Sequence, residues 1–448
     1  MPCFAYPSGV DINADQVFFM NFLQRMCVLL ALCVLMTVVR SAAAADNGWT
    51  DHFRISGFAT LGATKAGNEQ LGFHRDLYRD ATFDGDWSLA TDSLLGLQLN
   101  ADINDQWGAA IQLVGKDRLD DSLENNVEWA YVAYRLNPQW TVRAGRIGLD
   151  VYMLSEYRSL GFSYLWVRPP VEFYSPIAFD SFDGFDITWS VPLGDGQLRT
   201  KFYGGKTRND FMVGDDTIEL ELNPGTGLSL IWESERWSWR VTAAANDVDD
   251  DTGYFPGTEA LGEFLLQLEP FWQESAHYRK VLSTDNPRIY YSSMGVGYNR
   301  APWQVQAELG YVDSRIDIYP SFKNGYFSVG RQWDQVTIYG LVAAVQGQGG
   351  HREIEQWQLD PLNPLPLPVQ GAVIAGQQAA QAVLDRIGIE QHSVSLGLRW
   401  DIRYDIAVKM QWDHTWVDQY GTALWLFREL PAEDQELDTY SINLNCIF

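Results

Sequence analysis

The sequence predicts an all-β chain: a sixteen-stranded antiparallel transmembrane β-barrel with short periplasmic turns and long outer loops. Three observations predict it. Apolar and polar residues alternate with a period of two over segments of roughly ten residues, the length of a tilted membrane strand. The connections between those segments alternate short and long. The first 45 residues read as an export signal. Composition narrows the partners. With 58 acidic against 32 basic side chains, the 448-residue chain carries a formal net charge of −26, so no nucleic-acid partner is expected, because phosphate affinity needs a basic surface. At 46% hydrophobic and 14% aromatic it is not a disordered chain. Beyond residue 45 no apolar run approaches the roughly 20 residues of a spanning helix, so no membrane-spanning helix is expected there.

The export segment comes first. Residues 20–25 carry one arginine, residues 26–39 form an apolar core, and Ser41 with Ala42, Ala43, Ala44 and Ala45 supplies the small residues a signal peptidase requires. Residues before Met20 read as an upstream extension, and the barrel domain is expected over 46–448. Cleavage removes Cys3, Cys27 and Cys33 and leaves Cys446, which excludes a disulfide framework and a cysteine-rich metal site.

The strands follow. They are expected near 53–64, 88–102, 106–116, 126–136, 139–147, 182–191, 197–205 and 226–234, then 236–246, 288–299, 302–313, 324–332, 334–345, 391–400, 402–415 and 437–448. The clearest alternation sets Ile402, Tyr404, Ile406, Val408, Met410 and Trp412 against Arg403, Asp405, Ala407, Lys409, Gln411 and Asp413. A helix would mix these two sets on its faces, whereas a strand separates them. Short turns fall at 103–105, 137–138, 192–196, 233–235, 299–301, 333 and 401. Long loops fill 65–87, 117–125, 148–181, 206–225, 247–287, 314–323, 346–390 and 416–436. A soluble sandwich has no reason to collect its short turns at one end; an outer-membrane barrel does. Lipid then requires closure, since every backbone group must be paired. Trp129, Trp140, Trp237, Trp303, Trp400, Trp412 and Tyr440 stand near strand ends, as interfacial girdles require. Helical spacing appears twice within loops, over 258–281 and 372–387.

Two stretches carry a family resemblance. The final strand, 438–448, alternates and ends in Phe448, and it resembles the terminal assembly signal of Gram-negative outer-membrane proteins, which implies the barrel-assembly machinery as a partner. Glu128-Trp129-Ala130-Tyr131-Val132-Ala133-Tyr134, the turn Asn137-Pro138, and Val142-Arg143-Ala144-Gly145-Arg146 resemble the fourth and fifth strands of bacterial porins. The resemblance implies a water-filled diffusion channel for small hydrophilic solutes and ions, a homotrimer, and a third long loop folded inward. The third loop here suits that position. It carries Tyr152, Tyr157, Phe162, Tyr164, Trp166, Phe173, Tyr174 and Phe179, with Pro169, Pro170 and Pro176, and so many rings favour packing over solvation.

Polar strand faces should line the pore. Basic candidates are Arg143, Arg199, Lys201, Arg240, Arg399, Arg403 and Lys409; acidic candidates on the third loop are Asp150, Glu156 and Glu172, with Asp180 and Asp183 at its exit. In general porins an arginine row faces carboxylates on the loop. Carried over, that arrangement sets Arg143, with Arg199 and Lys201, against Glu156 or Glu172, a transverse field that sorts solutes by charge. Arg158 and Arg168 on the same loop depart from the pattern and leave the ion preference open. Each charge also has a plainer reading, as a solvated lumen residue paired for stability.

No cofactor is expected. Asp247, Asp249, Asp250 and Asp251 form an acidic run without the glycine and terminal glutamate of a calcium loop, so a solvated loop is the better reading and no metal is assigned. A barrel hydrolase would need a nucleophile beside a histidine. Of His52, His74, His277, His351, His392 and His414, only His414 has outward parity near an outer strand end, and it lies between Trp412 and Trp416 without a nucleophile motif. The chain is therefore read as no enzyme. A barrel with a closed interior and an adhesive or structural role is the remaining alternative.

Overall fold

Alternating strands joined by tight turns at one end produce a single closed sheet in the computed structural model. The structure describes residues 52–66, 71–79, 87–119, 122–177, 179–213, 216–249, 253–284, 288–348, 365–427 and 430–448. The export segment lies outside them. Sixteen strands make the wall: β1 (Phe53–Ala66), β2 (Leu94–Asp102), β3 (Trp107–Lys116) and β4 (Val127–Asn137). They continue as β5 (Trp140–Gly148), β6 (Ser181–Leu193), β7 (Gly196–Val213) and β8 (Asp216–Ser234). Then come β9 (Trp237–Asp249), β10 (Arg288–Arg300), β11 (Trp303–Ser314) and β12 (Phe322–Trp333). The last four are β13 (Val336–Gly347), β14 (Ile389–Arg403), β15 (Ile406–Thr422) and β16 (Gln435–Ile447). Each strand pairs with the next, and β1 closes the circle on β16 with Phe58 opposite Ile447 and Ala66 opposite Thr439. No edge is left, which is the condition for a sheet to stand in hydrocarbon.

Phe448 extends the seam of closure by one more backbone pair. Phe448 donates to the Gly57 carbonyl at 2.9 Å, and Gly57 donates back to the Phe448 carbonyl at 2.8 Å. The Phe448 ring covers Gly57 so closely that a Cβ there would lie 2.1 Å from a ring carbon.

Side-chain parity sorts the wall into two faces. Leu61, Ile111, Leu113, Val132, Phe202, Val241, Leu309, Val342 and Met410 point outward and are exposed. Trp107, Trp140, Trp237, Trp303, Trp333 and Trp400 stand exposed beside the short turns, one of the two girdles such barrels carry. Trp129 leaves the expected girdle. A bulge between Gln112 and Leu113 sets it opposite the inward Gln112, and its indole lies against Gly148.

Three departures from the sequence reading bear on the site. The expected loop 206–225 is a continued hairpin, β7–β8, because Leu220 and Leu222 alternate with Glu219 and Glu221 and their apolar set is buried. Asn223-Pro224, which reads as a turn, is absorbed as a bulge between Leu222 and Gly225. The expected turn at Asp401 lies at Tyr404-Asp405, between β14 and β15. Residues 88–93 do not begin β2. Trp87–Ser88 pairs briefly with β1, and the chain then turns so that Asp92 is fully buried.

The loop helices form as Glu259–Leu268, Ser275–Val281 and Leu367–Arg386. Their apolar sides (Leu265, Leu268, Val373, Ala380), with Trp272 from the segment between the first two, join Leu220, Leu222, Ile316 and Ile318 in one apolar cluster. A second cluster lies within the lumen. It joins Tyr152, Leu154, Trp166, Phe173 and Tyr174 of the third loop to Tyr291, Tyr326 and Tyr339 of the wall, and to the small sheet of Leu71–Phe73 with Trp425–Phe427.

Candidate functional site in the barrel lumen

The third loop leaves the wall at the end of β5 and returns at β6, so residues 149–180 cross the lumen. Its later stretch is anchored almost atom by atom. Trp166 donates from Nε1 to Ser328 Oγ at 2.6 Å on β12. The Val167 amide donates to Gln411 Oε1 at 3.1 Å on β15, and Asn443 Nδ2 of β16 donates to the Val167 carbonyl at 3.1 Å. Arg168, 2% exposed at its side chain, pairs with Asp92 at 2.6 Å and Asp413 at 3.3 Å, and donates to Thr64 and Ser441. Asn324 Nδ2 donates to the carbonyls of Glu172 and Phe173. Tyr174 and Tyr326 both donate to the buried Glu308. Rings of Tyr152, Phe173, Tyr174 and Tyr326 meet mostly edge to face, the arrangement the ring quadrupole favours.

Two of the basic candidates serve this anchoring. Lys409 is fully buried, its Nζ donating to the carbonyls of Gly161, Tyr164 and Trp166 at 2.5–2.6 Å. Arg399 donates to the carbonyls of Phe162 and Tyr164 at 2.8 and 2.9 Å. Gly161 makes the approach feasible, since a Cβ there would lie 2.3 Å from Asn445 Oδ1. Glu172, expected opposite Arg143, lies elsewhere: it accepts from Gln391 Nε2 of β14 at 2.9 Å and is buried. The loop's final turn is directed to β12 and β14, away from β5.

The earlier stretch meets the wall through charge. Asp150 receives Arg240 and, at 2.6 Å, Lys201, while its carbonyl accepts from Ser229. Lys201 also reaches Glu156 at 3.1 Å. The Glu156 side chain is 44% exposed, and Lys201, followed by Arg143 and Arg199, holds its carboxyl below the usual range. Arg143 pairs with Asp186 on β6 and stacks over Tyr131 at 4.9 Å. Arg199 pairs with Glu233 at 2.7 Å. Thus Glu156 stands among Lys201, Arg143 and Arg199, and Glu172 does not. Arg403 sits at the short-turn rim, paired with Asp405 and exposed.

Arg158 crosses to the segment 71–79, pairing with Asp76 and donating to the Tyr174 carbonyl at 3.0 Å. Burial opposes charge on Asp76, yet Arg158, Arg79 and Arg75 outweigh it and hold the carboxyl below its usual range. At His74 nearby the balance falls the other way, because burial outweighs the Arg79 carbonyl and the Asp76 charge that favour the protonated ring. Burial lowers it to about 4, and its Nδ1 lies 2.9 Å from the Arg79 carbonyl, so the neutral ring donates there. Lys116 joins Glu128 and Asp180 at 2.7 Å each.

Sequence reasoning missed Asp76, Asp92, Lys116, Glu128, Asp186 and Glu308 as lumen residues. Inward parity marked Glu308 and Asp186, but Glu308 takes its partners Met153 and Tyr174 from the distant loop, while Asp186 pairs with Arg143 on the neighbouring strand. Among the remaining candidates, Asp247 pairs with Arg288 at 2.6 Å, Asp250, Asp251 and His351 lie outside the described residues, and His414 bonds Asp438 at 2.9 Å against Trp416. Among the described residues, no three or more His, Cys, Asp or Glu side chains are grouped to hold a metal ion.

No family model and no curated protein sequence matches this chain. Solved structures do. The chain is similar to OmpF of Salmonella typhi, solved in complex with daunomycin, with a TM-score of 0.51 and 11% identity over 88% of this chain and 97% of that one. The outer-membrane channel DcaP of Acinetobacter baumannii aligns with a TM-score of 0.49 and 10% identity, covering 88% and 97% of the two chains. OprB of Pseudomonas putida gives 0.47 and 9%, covering 89% and 94%. The barrel's fold is that of the sixteen-stranded porins. The chain is a closed sixteen-stranded β-barrel with an apolar outer face and a loop carried inside.

Proposed function

We propose that this barrel is a diffusion channel for small hydrophilic solutes and ions, general or mildly selective. The observation that carries the reading is Glu156, held on the inward loop among Lys201, Arg143 and Arg199 of the wall. Opposed charges across a lumen order water and bias passage by charge and size. In this reading residues 1–45 direct export and are removed, Phe448 presents the chain to the barrel-assembly machinery, and the working form is a homotrimer in the outer membrane. Planar-bilayer recording of the refolded chain tests it. Stepwise conductance in salt is expected, and its absence sinks the channel. The reversal potential under a salt gradient then assigns cation or anion preference.

One observation favours a second reading, a barrel with a closed interior and an adhesive or structural role. The loop is bonded to β1, to β7 through β12 and to β14 through β16, more of the wall than a single-sided constriction needs. Deleting residues 152–175 separates the two. A channel with a loop-lined constriction gains conductance, and a barrel sealed by the loop goes from silent to conducting.

A further inference from the structure

Where β5 stops and the chain turns into the lumen, β4 and β6 are left flanking a polar notch in the outer rim. Glu124, Arg146, Asp183, Lys206, Arg208 and Glu221 line it, and Arg118, Glu128 and Asp180 form its inner floor. Arg118 differs from every other cation there. Its side chain is 8% exposed, yet it reaches Glu128 and Asp180 only at 3.6 and 3.7 Å, beyond hydrogen-bond range. Those same carboxylates are taken at 2.7 Å by Lys116. Arg118 Nε has no hydrogen-bond partner among the described residues, and the guanidinium rests on the Tyr78 ring at 5.3 Å. A planar fork with five N–H donors is thus steadied, buried and short of acceptors.

The charge around it points the same way. Ion pairs link Arg118 and Lys116 through Glu128 and Asp180 to Arg158, then through Asp76 to Arg75 and Arg79, and through Asp92 to Arg168 and Asp413. Among the described residues this network holds six cations against five carboxylates. The loosest cation lies at its open end. Of the neighbouring rim cations, Arg146 pairs with Asp183 at 2.8 Å, while Lys206 meets Glu221, and Arg208 meets Glu124 and Glu219, only at 3.6–3.7 Å but with side chains half exposed to water, unlike the buried Arg118.

We propose that this notch binds a small carboxylate-bearing solute, taken by the Arg118 guanidinium. A carboxylate completes the bidentate geometry that Glu128 and Asp180 leave unmade. The inference rests on the channel reading only in making this the solute met at the outer mouth; binding itself does not require conduction. Titration calorimetry on the refolded full chain, with succinate as probe and succinamide as its uncharged control, tests it. Saturable succinate binding without succinamide binding is expected, with affinity at least tenfold weaker in Arg118→Gln and partly kept in Arg118→Lys. Succinate binding unchanged by Arg118→Gln, no saturable binding to the folded wild type, or inorganic phosphate bound more tightly than succinate would each overturn the proposal. If Arg118→Gln does not fold, phenylglyoxal modification of the wild type decides: succinate must protect Arg118, read by peptide mass spectrometry, and succinamide must not. Conductance of the same preparation is recorded separately, so a barrel that binds succinate and stays silent sinks the channel alone.

Discussion

The inward loop joins two stretches that solve one problem differently. From Tyr164 to Tyr174 it is aromatic and almost wholly buried, and wall side chains reach its backbone directly, as Lys409, Asn324 and Asn443 do. From Asp150 to Ser159 it meets the wall through the side chains of Asp150, Glu156 and Ser159 as well as the carbonyls of Asp150 and Val151, sends Arg158 to Asp76 of the segment 71–79, and leaves Glu156 and Tyr157 exposed. The difference teaches that a polar lumen wall can hold an apolar loop when its strands spend their side chains on the loop's amides and carbonyls. An orphaned carbonyl would otherwise cost about 1–3 kcal/mol. The aromatic stretch is built to stay, and the charged stretch to present charge.

The strongest way to break this contrast is Arg168→Ala. It strips Asp92 and Asp413 of a buried partner and should destabilise by about 3–5 kcal/mol, seen as a lower urea midpoint with larger conductance steps. A midpoint like the wild type's would mean the aromatic stretch is not anchored there. Next comes pH. His74 is lowered to about 4 from an unfolded value near 6.5, so the unfolded chain binds the proton first. Stability is therefore complete above about pH 6.5 and declines toward pH 4, by on the order of 3 kcal/mol. Asp76, held down by its arginines, keeps its charge over that window, and its contribution is lost only at lower pH. Unfolding of the wild type and His74→Gln at pH 7 and 4.5 checks this, with a flatter profile expected for the variant.

Lys409→Met comes third, leaving three carbonyls without their donor. A loss of about 2 kcal/mol is expected, again read from the urea midpoint. The smallest effect sharpens the other side. Glu156→Gln should leave stability within about 0.5 kcal/mol, as exposed sites do, while moving the reversal potential toward anions. A shift in stability without a shift in potential would assign Glu156 to anchoring.

The wall was legible because parity is a local signal. Ala407, Lys409 and Gln411 alternate with Val408, Met410 and Trp412, and the structure buries the first set in the lumen while the second faces lipid. The hairpin over 206–225 was not legible, since Asn223-Pro224-Gly225 imitates a turn and only the register shift at Leu222 shows it to be a bulge. The lumen charges were half legible. Strand periodicity points Lys201, Arg240 and Lys409 inward, but what each meets depends on a loop hundreds of residues away in the worst case. Lys409 was read as a pore wall and binds Gly161; Glu172 was set against Arg143 and binds Gln391. Arg118, outside any strand, gave no periodic signal at all.

The closure of β1 on β16, which Phe448 extends to Gly57, has a consequence for the order of events. The first strand has no permanent neighbour until β16 is in place, since nine residue pairs from Phe58–Ile447 to Ala66–Thr439 close the sheet, so a barrel without that strand is a ribbon with two raw margins. A missing phenyl ring at 448, or a methyl group added at position 57, disturbs one end of that seam and leaves the nine residue pairs beyond it to keep the cylinder shut.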